Sequence, residues 1–166
     1  MLGGLRVPER ALNRIRDRWG ADAPDVIRQN PYVLAREVAG IGFATADAIA
    51  MRLQFDLKSP HRICAGILFS LEQAADMGHT CLPRRELLAT AREILNLGED
   101  LIERSATAME DLEELVSEDG YLYLPDLYGA EVAVAEGLAA MISLEIPGEP
   151  LSEIERSRLS EEQFKA

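Results

Sequence analysis

The stretch "VAGIGFATADAIA", residues 38–50, sets two glycines around a single isoleucine just where one apolar helical pattern stops and another begins. Inside a continuous helix each glycine would cost about 1 kcal/mol relative to alanine, so a tight turn is the better reading. Upstream, "PYVLAREV" starts at a proline whose missing N–H is harmless in a first helical turn. Downstream, "FATADAIAMRL" has helical spacing, with the small residues Ala44, Ala46, Ala48 and Ala50 suited to close helix packing. Residues 31–53 therefore read as helix, tight turn, helix. In this reading Gly40 and Gly42 take backbone angles closed to other residues, and Ile41 points inward to pin the helices together. The unpaired N–H groups of the turn and of the next helix, from Gly40, Ile41, Gly42, Phe43, Ala44 and Thr45, then make a small positive site for a phosphate oxygen. A site of this kind holds a nucleic-acid backbone and reads no bases.

Charge along the chain agrees with an early nucleic-acid site. The formal net charge of −12 argues against a generally basic binder. Residues 1–62, however, carry ten Lys+Arg against seven Asp+Glu, giving +3, while the remainder carries seven against twenty-two, giving −15. Arg6, Arg10 and Arg14, followed by Arg16 and Arg18, form a cluster suited to phosphate contact. They lie on or before a helix read from "VPERALNRIRDRW", with Gly20 as its stop. A short helix in "PDVIRQN" ends at Asn30-Pro31, because the residue before proline is pushed out of the helical region. A solvated helix face is the plain alternative for the arginines, and a simple connection between packed helices is the plain alternative for the glycines.

The string "NPYVLAREVAGIGFATADAIAMRL" resembles one hairpin of the tandem helix-hairpin-helix set in long, RecD-like bacterial DNA helicases, the exodeoxyribonuclease V alpha-subunit-like enzymes. The likeness continues through "RICAGILFSLEQAADMGHTCLPRRELL" and "YLYLPDLYGAEVAVAEGL" in the order that family uses, and covers nearly residues 1–144. There is a departure: many such hairpins put Lys or Arg two positions after the second glycine, where this chain has Ala44. The element before it, "GLRVPERALNRIRDRWG", looks like a degenerate earlier hairpin lacking the second glycine, whose arginines could compensate.

From residue 61 a second unit is expected. "RICAGILFSLEQAADMG" puts Ile63, Ile67, Leu68, Leu71, Ala74 and Ala75 on one helix face, with Gly78 at its C-terminus. A short extended piece, "HTCLP", precedes a helix in "PRRELLATAREIL". A third helix is read from "EDLIERSATAMEDLEEL", with Leu101, Ile102, Met109, Leu112 and Leu115 inward. In "LVSEDGYLYLP" alternation around Asp119-Gly120 is a strong hairpin signal. The expected fold is mainly α: a helix-hairpin-helix unit over 1–58, a winged-helix-like helical domain with a small β-hairpin over 61–143, and a linker over 144–166. The third helix is too acidic to face a duplex and reads as a structural or protein-facing spacer, leaving Arg84 and Arg85 as that unit's candidate phosphate contacts.

No nucleotide-binding loop, nucleophile elbow or zinc-protease motif occurs, so no catalytic residue is assigned and this region should not hydrolyse anything. His61, Cys64, His79 and Cys81 have poor spacing for zinc, and no metal is expected; the cysteines read as reduced, and His79 as making a local hydrogen bond. No apolar run is long enough for a membrane span, and a cytoplasmic location follows. The resemblance implies a larger parent that unwinds DNA 5′-to-3′ with ATP and magnesium in repair or recombination. It also implies a C-terminal motor beginning near "LSEEQFKA", where Gln163 would contact adenine. On this basis the region is a non-catalytic accessory that holds single-stranded or forked DNA by its backbone. The alternative is a protein-interaction or spacer module of the same helicase.

Overall fold

A computed structural model describes residues 9–143. The chain divides into two compact units, Met1–Gly129 and Ala130–Ala166. In the first, α1 (Glu9–Trp19) leads through a 3₁₀ turn at Gly20–Asp22 to α2 (Ala23–Gln29), followed by α3 (Val33–Glu37) and α4 (Phe43–Arg52). Then come α5 (Pro60–Asp76), β1 (Cys81–Pro83), α6 (Arg84–Leu95), α7 (Glu99–Asp111), β2 (Val116–Glu118) and β3 (Tyr121–Tyr123). The last helix, α8 (Pro125–Ser143), starts in the first unit and its residues from Ala130 belong to the second. Arg6, Gln163 and the expected linker over 144–166 lie outside the described residues.

From α5 to β3 the order is helix, strand, helix, helix, strand, strand, the order of elements that the sequence pattern implies. All pairing is antiparallel, in the order β1-β3-β2, with Leu82 opposite Leu122 and Ser117 opposite Leu122. Leu82 and Leu122 are buried, so this face of the sheet joins the core. Asp119 and Gly120, at φ +50° and +82°, supply the two positive-φ residues that a tight two-residue hairpin requires.

One apolar core runs from Ala11 on α1 to Leu122 on β3. Gly66 brings α5 against α6: a Cβ there would fall 2.6 Å from a Leu95 methyl and 2.8 Å from its branch carbon. The α7 helix is shorter than its apolar pattern implies. It stops at Asp111, because Glu113 takes a left-handed turn at φ +58° and the Glu114 N–H closes on the Met109 carbonyl at 2.8 Å. Leu115 still reaches the core, but Leu112, expected inward, is 72 % exposed. A glycine normally signals such a stop, and here a glutamate occupies the position.

The polar centre of the unit is Asp47 on α4. Arg62 on α5 clasps its carboxylate through Nε to Oδ1 at 2.8 Å and Nη2 to Oδ2 at 3.1 Å, and the Tyr32 hydroxyl donates to Oδ1 at 2.6 Å. The remaining Arg62 nitrogen donates to the carbonyls of Leu95 at 3.0 Å and Leu57 at 3.2 Å. Arg62 is 5 % exposed, and among the described residues no buried side-chain polar atom lacks a partner. Burial alone would raise the Asp47 pKa, but the hydrogen bonds from Arg62 and Tyr32 outweigh it and hold the carboxyl below its ordinary range.

Two expectations follow. Arg62→Met leaves a buried carboxylate without its cation and lowers unfolding free energy in urea by about 3–5 kcal/mol, while Arg62→Met/Asp47→Leu recovers a large part of that loss. Because the folded pKa of Asp47 is depressed, its contribution is present above the unfolded value of about 3.9 and is lost as pH falls from there through the folded pKa. Asp47→Asn should therefore flatten the stability profile below about pH 4, read as urea midpoints across a pH series.

Candidate nucleic-acid interface

The turn between α3 and α4 is the hairpin that the glycine pair announces. The Val38 N–H donates to the Leu34 carbonyl at 3.1 Å and ends α3. Gly40 then takes φ +92°, a conformation that a β-carbon disfavours. Gly42 caps α4 with φ −91° and ψ 176°, extended angles open to any residue, so only one of the two glycines is conformationally required. Neither has another atom within 4 Å of where a β-carbon would stand. The space over Gly42 is open.

Ile41 is buried, as its place between the glycines implies. Phe43 is buried too: its ring stacks on Phe69 of α5 at 5.2 Å and lies 6.0 Å from Tyr32. These side chains anchor the hairpin and leave only main chain for a ligand. The set of available amides is smaller than the sequence reading proposes. The Ile41 N–H donates to the Val38 carbonyl at 3.0 Å, and Thr45 N–H donates to the Gly42 carbonyl at 3.1 Å. The N–H groups of Gly40, Gly42, Phe43 and Ala44 have no backbone acceptor among the described residues, and Gly40, Gly42 and Ala44 are exposed. The amides of Gly42, Phe43 and Ala44 stand at the start of a ten-residue helix, at the positive end of its dipole.

Arg14 meets this turn from α1, donating from Nη1 to the carbonyl of Ala39, the residue before Gly40. It stands beside a hairpin that has alanine at position 44, where a cation is common. Arg18, one helical turn further on, is taken up by Glu37, and Arg16 by Asn13. Arg10 is exposed, on the same helix. The pairing of Arg14 with a carbonyl 25 positions away has no signal in the local sequence.

Residues 1–81 match the family model described as the ATP-dependent RecD2 DNA helicase HHH domain. The chain carries an N-terminal RecD-like helix-hairpin-helix region. A curated relative, the ATP-dependent RecD2 DNA helicase of Deinococcus radiodurans, is 28% identical over 161 aligned residues, covering 86% of this chain and 22% of that protein. The chain thus spans about a fifth of that relative's length.

Outside the RecD-like hairpin, the acidic α7 takes the first arginine of α6 out of play. Arg84 donates to Glu103 at 2.9 Å, to Glu110 at 2.6 Å and to Thr107 at 3.1 Å, so the phosphate contact considered for it is replaced by an internal ion-pair network. Arg85 is exposed. The Cys64 and Cys81 thiols are free and half-buried, and burial pushes the Cys64 thiol pKa up, toward an inert group. The His79 contact is made by its backbone N–H, donating to Ala74 at 3.0 Å past Gly78 at φ +94°. Among the described residues no group of His, Cys, Asp or Glu could hold a metal ion, and no helix is long and apolar enough to cross a membrane.

The glycines differ in a way that a stability measurement separates. Gly40→Ala should lower unfolding free energy by about 1–2 kcal/mol, from left-handed backbone strain alone. Gly42→Ala should change it by less than about 0.5 kcal/mol, since neither angle nor space opposes a methyl group. Equal losses in urea titrations of the two variants would contradict this geometry.

Proposed function

We propose that this region is a non-catalytic accessory that holds single-stranded or forked DNA by its sugar-phosphate backbone, as part of a RecD-like ATP-dependent helicase. The observation that carries this reading is the exposed turn at Gly40–Ala44: four amides without acceptors, at the positive end of a helix, with the Arg14 guanidinium fixed on the same turn. A phosphate oxygen would accept from the amides while Arg14 supplies the formal charge. The open space over Gly42 lets a sugar-phosphate chain approach closely. No base edge need be reached, so binding would be independent of sequence.

In this reading ATP and magnesium belong to a motor elsewhere in the parent, with Gln163 at the adenine. The parent unwinds DNA 5′-to-3′ in repair or recombination in the cytoplasm, and the hairpin grips the strand near the fork. The name of the Deinococcus radiodurans relative supports the helicase assignment. A second reading, a spacer or protein-facing module, draws support from the −15 charge carried after residue 62 and from the neutralisation of Arg84.

Titration of labelled single-stranded and forked DNA at two salt concentrations tests the proposal. Affinity should fall with salt, with a log–log slope of about 0.7 per phosphate neutralised on single strands and 0.9 on duplex. Arg10→Gln and Arg14→Gln should each reduce that slope by roughly one such increment. Gly42→Val should weaken binding while circular dichroism and urea midpoint stay unchanged. Unaltered affinity in a folded Gly42→Val protein, or no salt-dependent binding at low ionic strength, would favour the spacer.

A further inference from the structure

Away from the hairpin, an open groove of about 630 Å³ lies where α3, α5, the turn after α7 and the start of α8 meet. Its apolar lining includes Leu68, Leu124 and Leu127, each half-buried. Its charged lining is one-sided: Glu72 and Asp76 on α5, Glu113 and Glu114 after α7, and Asp126 on α8, against Arg36 alone. Among the described residues Arg36 pairs with Glu114 alone, at 3.7 Å, and is itself largely exposed. Burial and the neighbouring Asp76 push the Glu72 carboxyl pKa up, as expected for carboxylates crowded against apolar surface without a cation.

We infer that this groove docks a basic, leucine-bearing helical segment of a partner protein, its aliphatic side chains on the leucine floor and its lysines or arginines on the carboxylate rim. Leucines between carboxylates from three elements match an amphipathic cationic helix in apolar surface and in sign. Nucleic acid is the wrong sign for the groove, which separates it from the hairpin. Arg36 already occupies Glu114 in the free protein, so an incoming cation competes with it.

The probe is a fluorescein-labelled synthetic helix-forming peptide of lysine and leucine, compared with a peptide of equal charge in which serine replaces leucine. Anisotropy titrations use the whole 166-residue chain. The leucine peptide should bind more tightly than its serine counterpart, and Glu72→Gln/Asp76→Asn should weaken it about fivefold. Arg36→Gln should strengthen it, and Glu99→Gln/Asp100→Asn, which removes the same charge on α7 away from the groove, should leave it unchanged. The opposite signs expected for the first two variants exclude simple unfolding as their common cause. Equal binding of the two peptides, or equal losses from the groove and α7 variants, would mean attraction by net charge alone and would overturn the inference.

Discussion

Arg62 and its partner Asp47 hold together pieces of chain from Tyr32 to Leu95. Its guanidinium clasps Asp47 of α4, its last nitrogen ties down the ends of α6 and of the loop at Leu57, and Tyr32, just ahead of α3, completes the carboxylate's shell. Two charges withdrawn from water are tolerated only when their hydrogen-bonding groups are answered, and here those contacts are made. A pair of apolar residues could stabilise the same space as well, but the bidentate clasp adds a directional contact between α4 and α5 that apolar packing lacks. Because α4 begins at the hairpin, the orientation of the exposed amides depends on this buried pair.

The hairpin is fastened from both sides. Inward, Ile41 and Phe43 enter the core, and the Phe43–Phe69 stack joins the hairpin to α5. Outward, the backbone from Gly40 to Ala44 retains unsatisfied donors. A fully buried turn could not keep such groups unpaired without a free-energy cost of about 1–3 kcal/mol each. At the surface water satisfies them, and an anion can displace that water. Rigid side-chain anchorage and an open main chain thus belong to the same few residues.

The arginines show how position decides the role of a charge. Arg14, Arg62 and Arg84 are the same side chain in three settings. Arg62 is buried against one carboxylate and organises the core. Arg84 lies between Glu103 and Glu110 and is occupied internally. Arg14 bonds only a backbone carbonyl among the described residues, which leaves its formal charge uncompensated beside the turn. In the same unit five carboxylates and a single arginine line a leucine-bearing groove, so the local charge there is opposite to that at the hairpin.

Most of the secondary structure was legible because local rules govern it. The glycine pair marked the hairpin, proline marked helix starts, Asp119-Gly120 marked the strand turn, and apolar periodicity found the face of α5. Where a local signal is absent or overridden, the sequence pattern misleads. The stop at Glu113 lacks its usual glycine, so apolar periodicity alone carries α7 too far and turns Leu112 inward. The glycine pair implies special angles at both positions, and only Gly40 needs them. The pairing of Asp47 with Arg62 and Tyr32, the meeting of Arg14 with Ala39, and the capture of Arg84 by α7 join residues 15 to 26 positions apart. By itself the sequence determined which segments are helices and where the main chain turns, because those follow from neighbours within a few residues. Only tertiary packing decided which amides and which charges remain free, because a partner distant along the chain can satisfy a group without leaving any local trace.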